Sequence, residues 1–221
     1  MKKFLAMMAF AVMIVMTGCA RSGKVEKVVN YETQPFTQVV MDGVGNIIFT
    51  QGSDYIVRLE GDSALISRTF VTFDNGCMRV SQKANNKAKK GLNVYVTAPS
   101  LEKAETNGVG SFESTSDVNF DNNFMFESNG VGSIKIKNFT CKTFKYDQEG
   151  VGSSDLSIKC QNAYVSSAGV GSCKLEIEAD TLRISVDGVG SVKVKGHVKK
   201  YEHEGTSFVS KISDKELVVG E

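Results

Sequence analysis

Tryptophan is absent from this sequence, and histidine and proline occur only twice each. Two prolines against 21 glycines exclude a collagen-like or proline-rich extended chain and point to many tight turns. The two histidines, His197 and His203, offer little for a metal centre, and no C-x-x-C pair marks a zinc or redox site. No cofactor motif is present. An excess of charge of one sign is also missing. Removing residues 1–18 takes away Lys2 and Lys3 and no acid, leaving 24 basic against 25 acidic residues. That balance excludes nucleic acid as the main partner. The densest basic stretch, Lys83, Lys87, Lys89 and Lys90 in QKANNKAKKG, has no interleaved aromatics and reads as a solvated hairpin loop. Long apolar runs are lacking as well. The longest candidate, residues 4–16, falls short of the roughly 20 residues a membrane-spanning helix needs.

That short run has a different use. A basic start, an apolar stretch and then Met16-Thr17-Gly18-Cys19 form the pattern of a bacterial lipoprotein leader. Residues 1–18 are then a signal peptide, and Cys19 is the lipidation site. The competing reading is an ordinary secretory signal in which Cys19 is incidental. Acyl chains on Cys19 would bury tens of methylenes at about 0.8 kcal/mol each, enough for stable anchoring. Residues 19–27 read as a tether. Ala20, Arg21, Ser22 and Gly23 carry no acidic run of the kind that marks surface export, which favours the periplasmic face of the outer membrane.

The remaining sequence repeats. Gly-Val-Gly-Ser begins at Gly108, Gly130, Gly150, Gly169 and Gly188, with Gly-Val-Gly-Asn at Gly43 and a worn GTSF at Gly205. From Gly108 onward the spacing is short and steady, about 20 residues, a period that points to a solenoid with one coil per repeat. Four residues after the first glycine stand Ile47, Phe112, Ile134, Ser154, Cys173 and Val192. Four before it stand Val39, Ala104, Phe126, Tyr146, Val165, Ile184 and, in the worn copy, Tyr201. Glu113, Lys135, Asp155, Lys174 and Lys193 alternate with the apolar positions that follow the motif. Period two on both sides makes each repeat strand, glycine corner, strand. A coil of about 20 residues fixes its backbone at roughly 1–2 kcal/mol per residue and cannot offset that alone. Stacked coils share hydrogen bonds and a continuous core, with equivalent positions about 4.8 Å apart.

The fold expected is therefore all-β, a single-stranded β-helix or β-solenoid with a coil repeat of about 19–22 residues. Glycine lets the corner turn and lets neighbouring backbones approach closely. The valine between the glycines is expected to plug the corner from inside. The serine after it is expected to hydrogen-bond along the stack or to its own turn. A phosphate-gripping loop is excluded. No third glycine completes G-x-G-x-x-G, no helix follows, and a ligand loop is not needed six times at one period. Cys141 and Cys160 fall at nearly equivalent positions of adjacent coils and read as stacked core thiols before a disulfide. Cys77 and Cys173 complete the mature set, and the redox state of all four is open.

Residues 28–100 fit the period poorly and read as an irregular cap, followed by regular coils over 101–221, in one domain spanning 28–221. Short strands are expected at 36–42, 46–51, 55–60, 69–74, 77–82 and 92–97. A helical turn is expected at 62–68 with Asp62 as its cap, and a DNG hairpin at 74–76. The stretch between Gly43 and Gly108 has room for three coils.

Taken together, the leader, the NVYVTAPSL stretch at 93–101 and the successive N-G-x-G-S corners resemble the head GIN domain family of auto-transporter adhesins. The resemblance covers nearly the whole mature chain. It implies a β-helical solenoid at the bacterial cell envelope, and it brings no catalytic residues to carry over.

Three functions compete. The first is a non-catalytic binding or adhesion module whose flat faces suit extended ligands, a glycan or an envelope protein. The column before each corner, Asp42, Asn107, Asn129, Glu149, Ala168 and Asp187, would present polar groups to a sugar, although Asn and Asp also simply suit turns before glycine. The second is a periplasmic scaffold, which the absence of Trp favours slightly. The third is a polysaccharide-cleaving β-helix, for which His203 with Glu202 and Glu204, or Asp187 with Glu149, are the best candidates. Neither set has a partner dictated by spacing, so the chain is read as not an enzyme.

Overall fold

The computed structural model describes residues 26–83, 91–205 and 210–220. Residues 1–18, Cys19 and most of residues 19–27, expected above to be signal peptide, lipidation site and tether, lie outside these residues, as do Lys87, Lys89 and Lys90 and most of the worn GTSF copy. About 73% of the described residues are strand and 2% helix.

The cap region holds β1 (Glu26–Tyr31), β2 (Gln38–Asp42), β3 (Asn46–Gln51), β4 (Ile56–Asp62), α1 (Ser63–Ile66), β5 (Thr69–Asp74), β6 (Cys77–Gln82) and β7 (Leu92–Ala98). The stack continues through β8 (Lys103–Thr106), β9 (Phe112–Ser114), β10 (Val118–Asn119), β11 (Phe124–Ser128), β12 (Val131–Thr140) and β13 (Thr143–Gln148). It ends in β14 (Val151–Ser167), β15 (Val170–Val186), β16 (Val189–Gly205) and β17 (Ser210–Val219). All of these strands belong to one continuous sheet, wound as a β-solenoid of about six turns.

Pairing along the stack is parallel and nearly without slips. Val151 to Ser167 lie over Val170 to Val186, and these over Val189 to Gly205. Inward positions form columns. Val39, Ala104, Phe126, Tyr146, Val165 and Ile184 stack in register, each at most 2% exposed. The middle of the stack is filled by aromatics, with Phe112 against Phe126 and Phe124 against Phe139, each at 4.8 Å between ring centres. Towards β17 the filling becomes aliphatic, through Leu156, Leu175 and Val194. Outward positions carry opposed charges in register, such as Lys135 on Glu113 at 2.7 Å and Lys159 on Glu178 at 2.8 Å. Such exposed pairs, screened by water, contribute little to stability.

The cap departs from the three-coil expectation. Val44 pairs directly with Val109, so the Gly43 and Gly108 coils are neighbours. The residues between them fold back over the end of the stack. There β6 and β7 add a parallel layer on β2 and β3, and β4 and β1 continue it antiparallel. The physical reason lies in the corner: no Gly-Val-Gly follows β6. Instead the Gln82 side chain donates to the Val44 carbonyl at 2.9 Å and accepts from the Val44 N–H at 3.0 Å. An amide side chain thus stands in for the backbone of a missing corner. The local expectations hold. Asp62 caps α1 by accepting from the Ala64 N–H, and Asn75 and Gly76 form the β5–β6 turn with φ of 48° and 74°.

Candidate interaction surface

The corners explain both glycines. At Gly150 and Gly152 an added Cβ would lie 1.9 and 1.7 Å from the carbonyl oxygen of the equivalent glycine one coil away. The inside of the corner is therefore filled by stacked backbone. Corner amides bond along the stack, for example Val151 N–H to Gly130 O at 2.9 Å and Val170 N–H to Gly150 O at 3.0 Å.

This overturns the expected role of the valines. Val109, Val131, Val151, Val170 and Val189 are 48–52% exposed and point outward. They lie in register, each paired with the next, and Val44 extends the row. Neighbouring valines cover each other's flanks, which accounts for their buried half. The outer half forms an apolar ridge along the stack. Strict period-two counting would have found it, because the odd positions just after the first glycine, such as Val151, Ser153 and Asp155, face outward. The apolar character of valine argued the other way.

The ridge has polar borders. On one side lie the exposed Ser133, Ser153, Ser172 and Ser191, with Ser111, whose hydroxyl donates to Asn46 Oδ1 at 2.9 Å. On the other lies the column before the corners. Asn107 donates to Asp42 at 2.7 Å, Asn129 donates to Asn107 at 3.0 Å, and Arg79 pairs with Asp42. These residues satisfy one another along the stack, in keeping with the turn role expected for Asn and Asp.

Two shallow grooves lie on other faces. One, about 440 Å³, is lined by Lys145, Asp147, Tyr164, Arg183, Glu202 and His203 among others. Arg183 pairs with Glu202 at 2.6 Å and Lys200 pairs with the same carboxylate at 2.8 Å. The hydrogen bond from Lys200, aided by the Arg183 charge, holds that carboxyl below its ordinary range. The other groove, about 540 Å³, is lined by Asn138, Lys159, Glu178 and His197 among others. His197 and His203 thus belong to different grooves. Among the described residues no group of three His, Cys, Asp or Glu is placed to hold a metal ion.

His203 also corrects the reading of the worn repeat. It stacks over Ile184 and Tyr201 over Leu182, so His203, and not Tyr201, continues the column four before the corner. Counting back from Gly205 misplaced that register by two, because Gly205 itself stacks over Val186. Asp187 and Glu149 lie at corners with Ala168 between them, two coils apart, and no described cleft joins them. Cys141 is buried, Cys160 is half-buried, and both thiols are free, with Cys77 and Cys173 free as well. The Cys141 N–H donates to the Lys159 carbonyl, next to Cys160 on the adjoining coil. Burial pushes the Cys141 and Cys160 thiols up to about 12 and the Cys173 thiol up to about 11.

A β-solenoid with stacked glycine corners and charge-paired faces defines a repeat protein built around extended surfaces. The chain belongs to the family described as "Putative auto-transporter adhesin, head GIN domain", whose model matches residues 35–220. It is similar in fold to a putative adhesin from Bacteroides fragilis, with 23% identity and a TM-score of 0.72, covering 89% of this chain and 98% of that one. A putative adhesin from Parabacteroides merdae is 14% identical with a TM-score of 0.60, covering 89% of this chain and 95% of that one. A protein from Parabacteroides distasonis described as a putative lipid binding protein is 15% identical with a TM-score of 0.57, covering 84% of this chain and 96% of that one. No curated protein matches the chain. Among the described residues no helix is long and apolar enough to cross a membrane.

Proposed function

We propose that this protein is a non-catalytic binding module of the bacterial cell envelope, held to the outer membrane by a lipid on Cys19 and engaging extended partners, glycan or protein, through its solenoid faces. In this reading residues 1–18 are the signal peptide, residues 19–27 the tether and residues 28–221 one binding domain. The valine ridge carries the proposal. Its side chains fill no core position, yet an apolar residue recurs at every full corner and faces water along the stack. Contiguous exposed apolar surface on a folded chain marks interaction sites. The polar borders on both sides resemble the rim of a recognition surface.

Beads coated with the purified chain provide the test, on a panel of immobilised envelope and host polysaccharides and envelope proteins. Wild-type beads are expected to be retained. Beads carrying the Val151→Ser, Val170→Ser, Val189→Ser variant are expected to be lost from the same surfaces while unfolding at an unchanged temperature. Retention of neither, or equal retention of both, refutes the role of the ridge. Labelled palmitate on the wild type but not on Cys19→Ala tests the anchor. Protease treatment of intact cells then decides the face of the membrane.

A further inference from the structure

The end of the stack carries a feature independent of the ridge. β17 covers β16 only from Gly190 to Val198. The rest of β16, Lys199–Gly205, pairs with β15 on one side and with nothing among the described residues on the other. Backbone direction along this segment follows from the coil below. There the Asp187 N–H donates to Ser167, so alternate residues from Thr181 point down the stack. Carried up one coil, Lys200, Glu202 and Glu204 bond downward, while Tyr201 and His203 turn their N–H and C=O groups to the open side.

Among the described residues no layer covers the inward side chains at this edge either. Tyr201 and His203 stack on each other at 5.2 Å between ring centres. The Tyr201 hydroxyl is buried without a hydrogen-bond partner, and His203 is exposed although the Ile184 beneath it is 2% exposed. Burial raises the pKa of that hydroxyl, and the nearby Asp214 carboxylate on β17 adds to the effect. The vacant step is one strand deep, about 4.8 Å, because β17 occupies that layer on the neighbouring faces. A second folded copy turned end to end would meet β17 before its own edge reached the step. A single extended segment meets no such obstacle.

We propose that Lys199–Gly205 is a strand-acceptor site that takes one extended segment of a partner polypeptide. The chemistry of that segment follows from the column it would extend. Alternate aliphatic residues would cover Tyr201 and His203, as Leu182 and Ile184 support them from below. A basic residue would sit over Glu202, whose carboxylate already pairs with Arg183 of the coil below at 2.6 Å and with Lys200 at 2.8 Å. Glu204 on the same outward side adds to that preference. Main-chain hydrogen bonds then supply affinity and the alternating side chains supply specificity.

The chain itself contains a suitable probe. Asp180 to Asp187, DTLRISVD, makes these contacts from beneath. A fluorescent peptide of that sequence, titrated into the detergent-solubilised full chain, is expected to show saturable anisotropy. N-methylation at Thr, Arg or Ser removes hydrogen bonds to the edge and is expected to weaken binding by about tenfold. N-methylation at Leu, Ile or Val leaves the edge bonds intact and is expected to change affinity little. Glu202→Lys is expected to weaken DTLRISVD and strengthen DTLEISVD. Hydrogen exchange at the Tyr201 and His203 amides is expected to slow on binding. The valine-ridge triple variant is expected to bind the peptide as the wild type does, which separates this site from the ridge. Absence of saturable binding, an effect of N-methylation that does not depend on position, or slowed exchange along β17 in place of Tyr201 and His203 would each overturn the proposal.

Discussion

Replacing Gly171 by alanine tests the corner most directly. The new Cβ would stand 1.6 Å from the Gly152 carbonyl oxygen, where ordinary contact needs well over 3 Å. The obstacle is backbone, so no side chain can swing away. The coils must part by about 1.5 Å or more at this corner. That movement stretches the 3.0 Å bond from Val170 to Gly150 and the 3.1 Å bond from Gly169 to Gln148 beyond hydrogen-bonding range. Two such bonds contribute about 1 kcal/mol each, and burial of the released groups adds more. The backbone at Gly171, with φ of 152°, lies where alanine is strained by a further 1–3 kcal/mol or so. The sum is about 3–6 kcal/mol, a large part of the roughly 5–15 kcal/mol that holds a typical domain together. For a chain of this size it lowers Tm by roughly 10–20 °C. Gly76→Ala is the control. Its φ of 74° is also unfavourable, but nothing lies within 4 Å of the added Cβ. It is expected to cost only about 1–2 kcal/mol. Thermal and urea unfolding followed by circular dichroism measure both. If Gly171→Ala is no more destabilised than Gly76→Ala, the stacked corner is not what requires glycine.

The cap and the thiols give three further expectations. Gln82→Ala removes the amide that satisfies both backbone groups of Val44, and is expected to destabilise the chain by about 1–3 kcal/mol. Urea unfolding measures that loss, and hydrogen exchange at Val44 is expected to quicken. Cys141, Cys160 and Cys173 are expected to resist iodoacetamide at pH 8 in the folded chain and to react once it is unfolded in urea. Because burial raises these thiols above their unfolded value of 9, the folded state holds protons that the unfolded state releases. Stability is therefore complete below pH 9 and declines as pH rises towards about 12. Urea midpoints at pH 8 and pH 10.5 check the sign, and a midpoint that rises with pH would contradict it.

Much of the fold was legible because the determinants are local and repeated. A period of about 20 residues with period-two flanks admits little besides a stacked coil. The hairpin at Asn75 and the cap at Asp62 are readable from a few adjacent residues. The surface was less legible. Counting odd and even positions places Val151 outside, while its hydrophobicity suggests the inside. The matter turns on how closely Gly150 and Gly152 approach their neighbours, which is a distance between coils and not a property of the residue.

By itself, the sequence determined the architecture of the coil and the alternation of its faces, since each is written in short-range pattern. Tertiary structure decided what depends on contacts distant along the chain. It placed the Gly43 coil on the Gly108 coil across the whole of the cap, because those two corners alone could stack there once Gln82 had closed the end. It turned the valines outward, because backbone already fills the corner. It set His203 over Ile184 and left Lys199–Gly205 without a second neighbour among the described residues, because β17 covers only part of the coil beneath it.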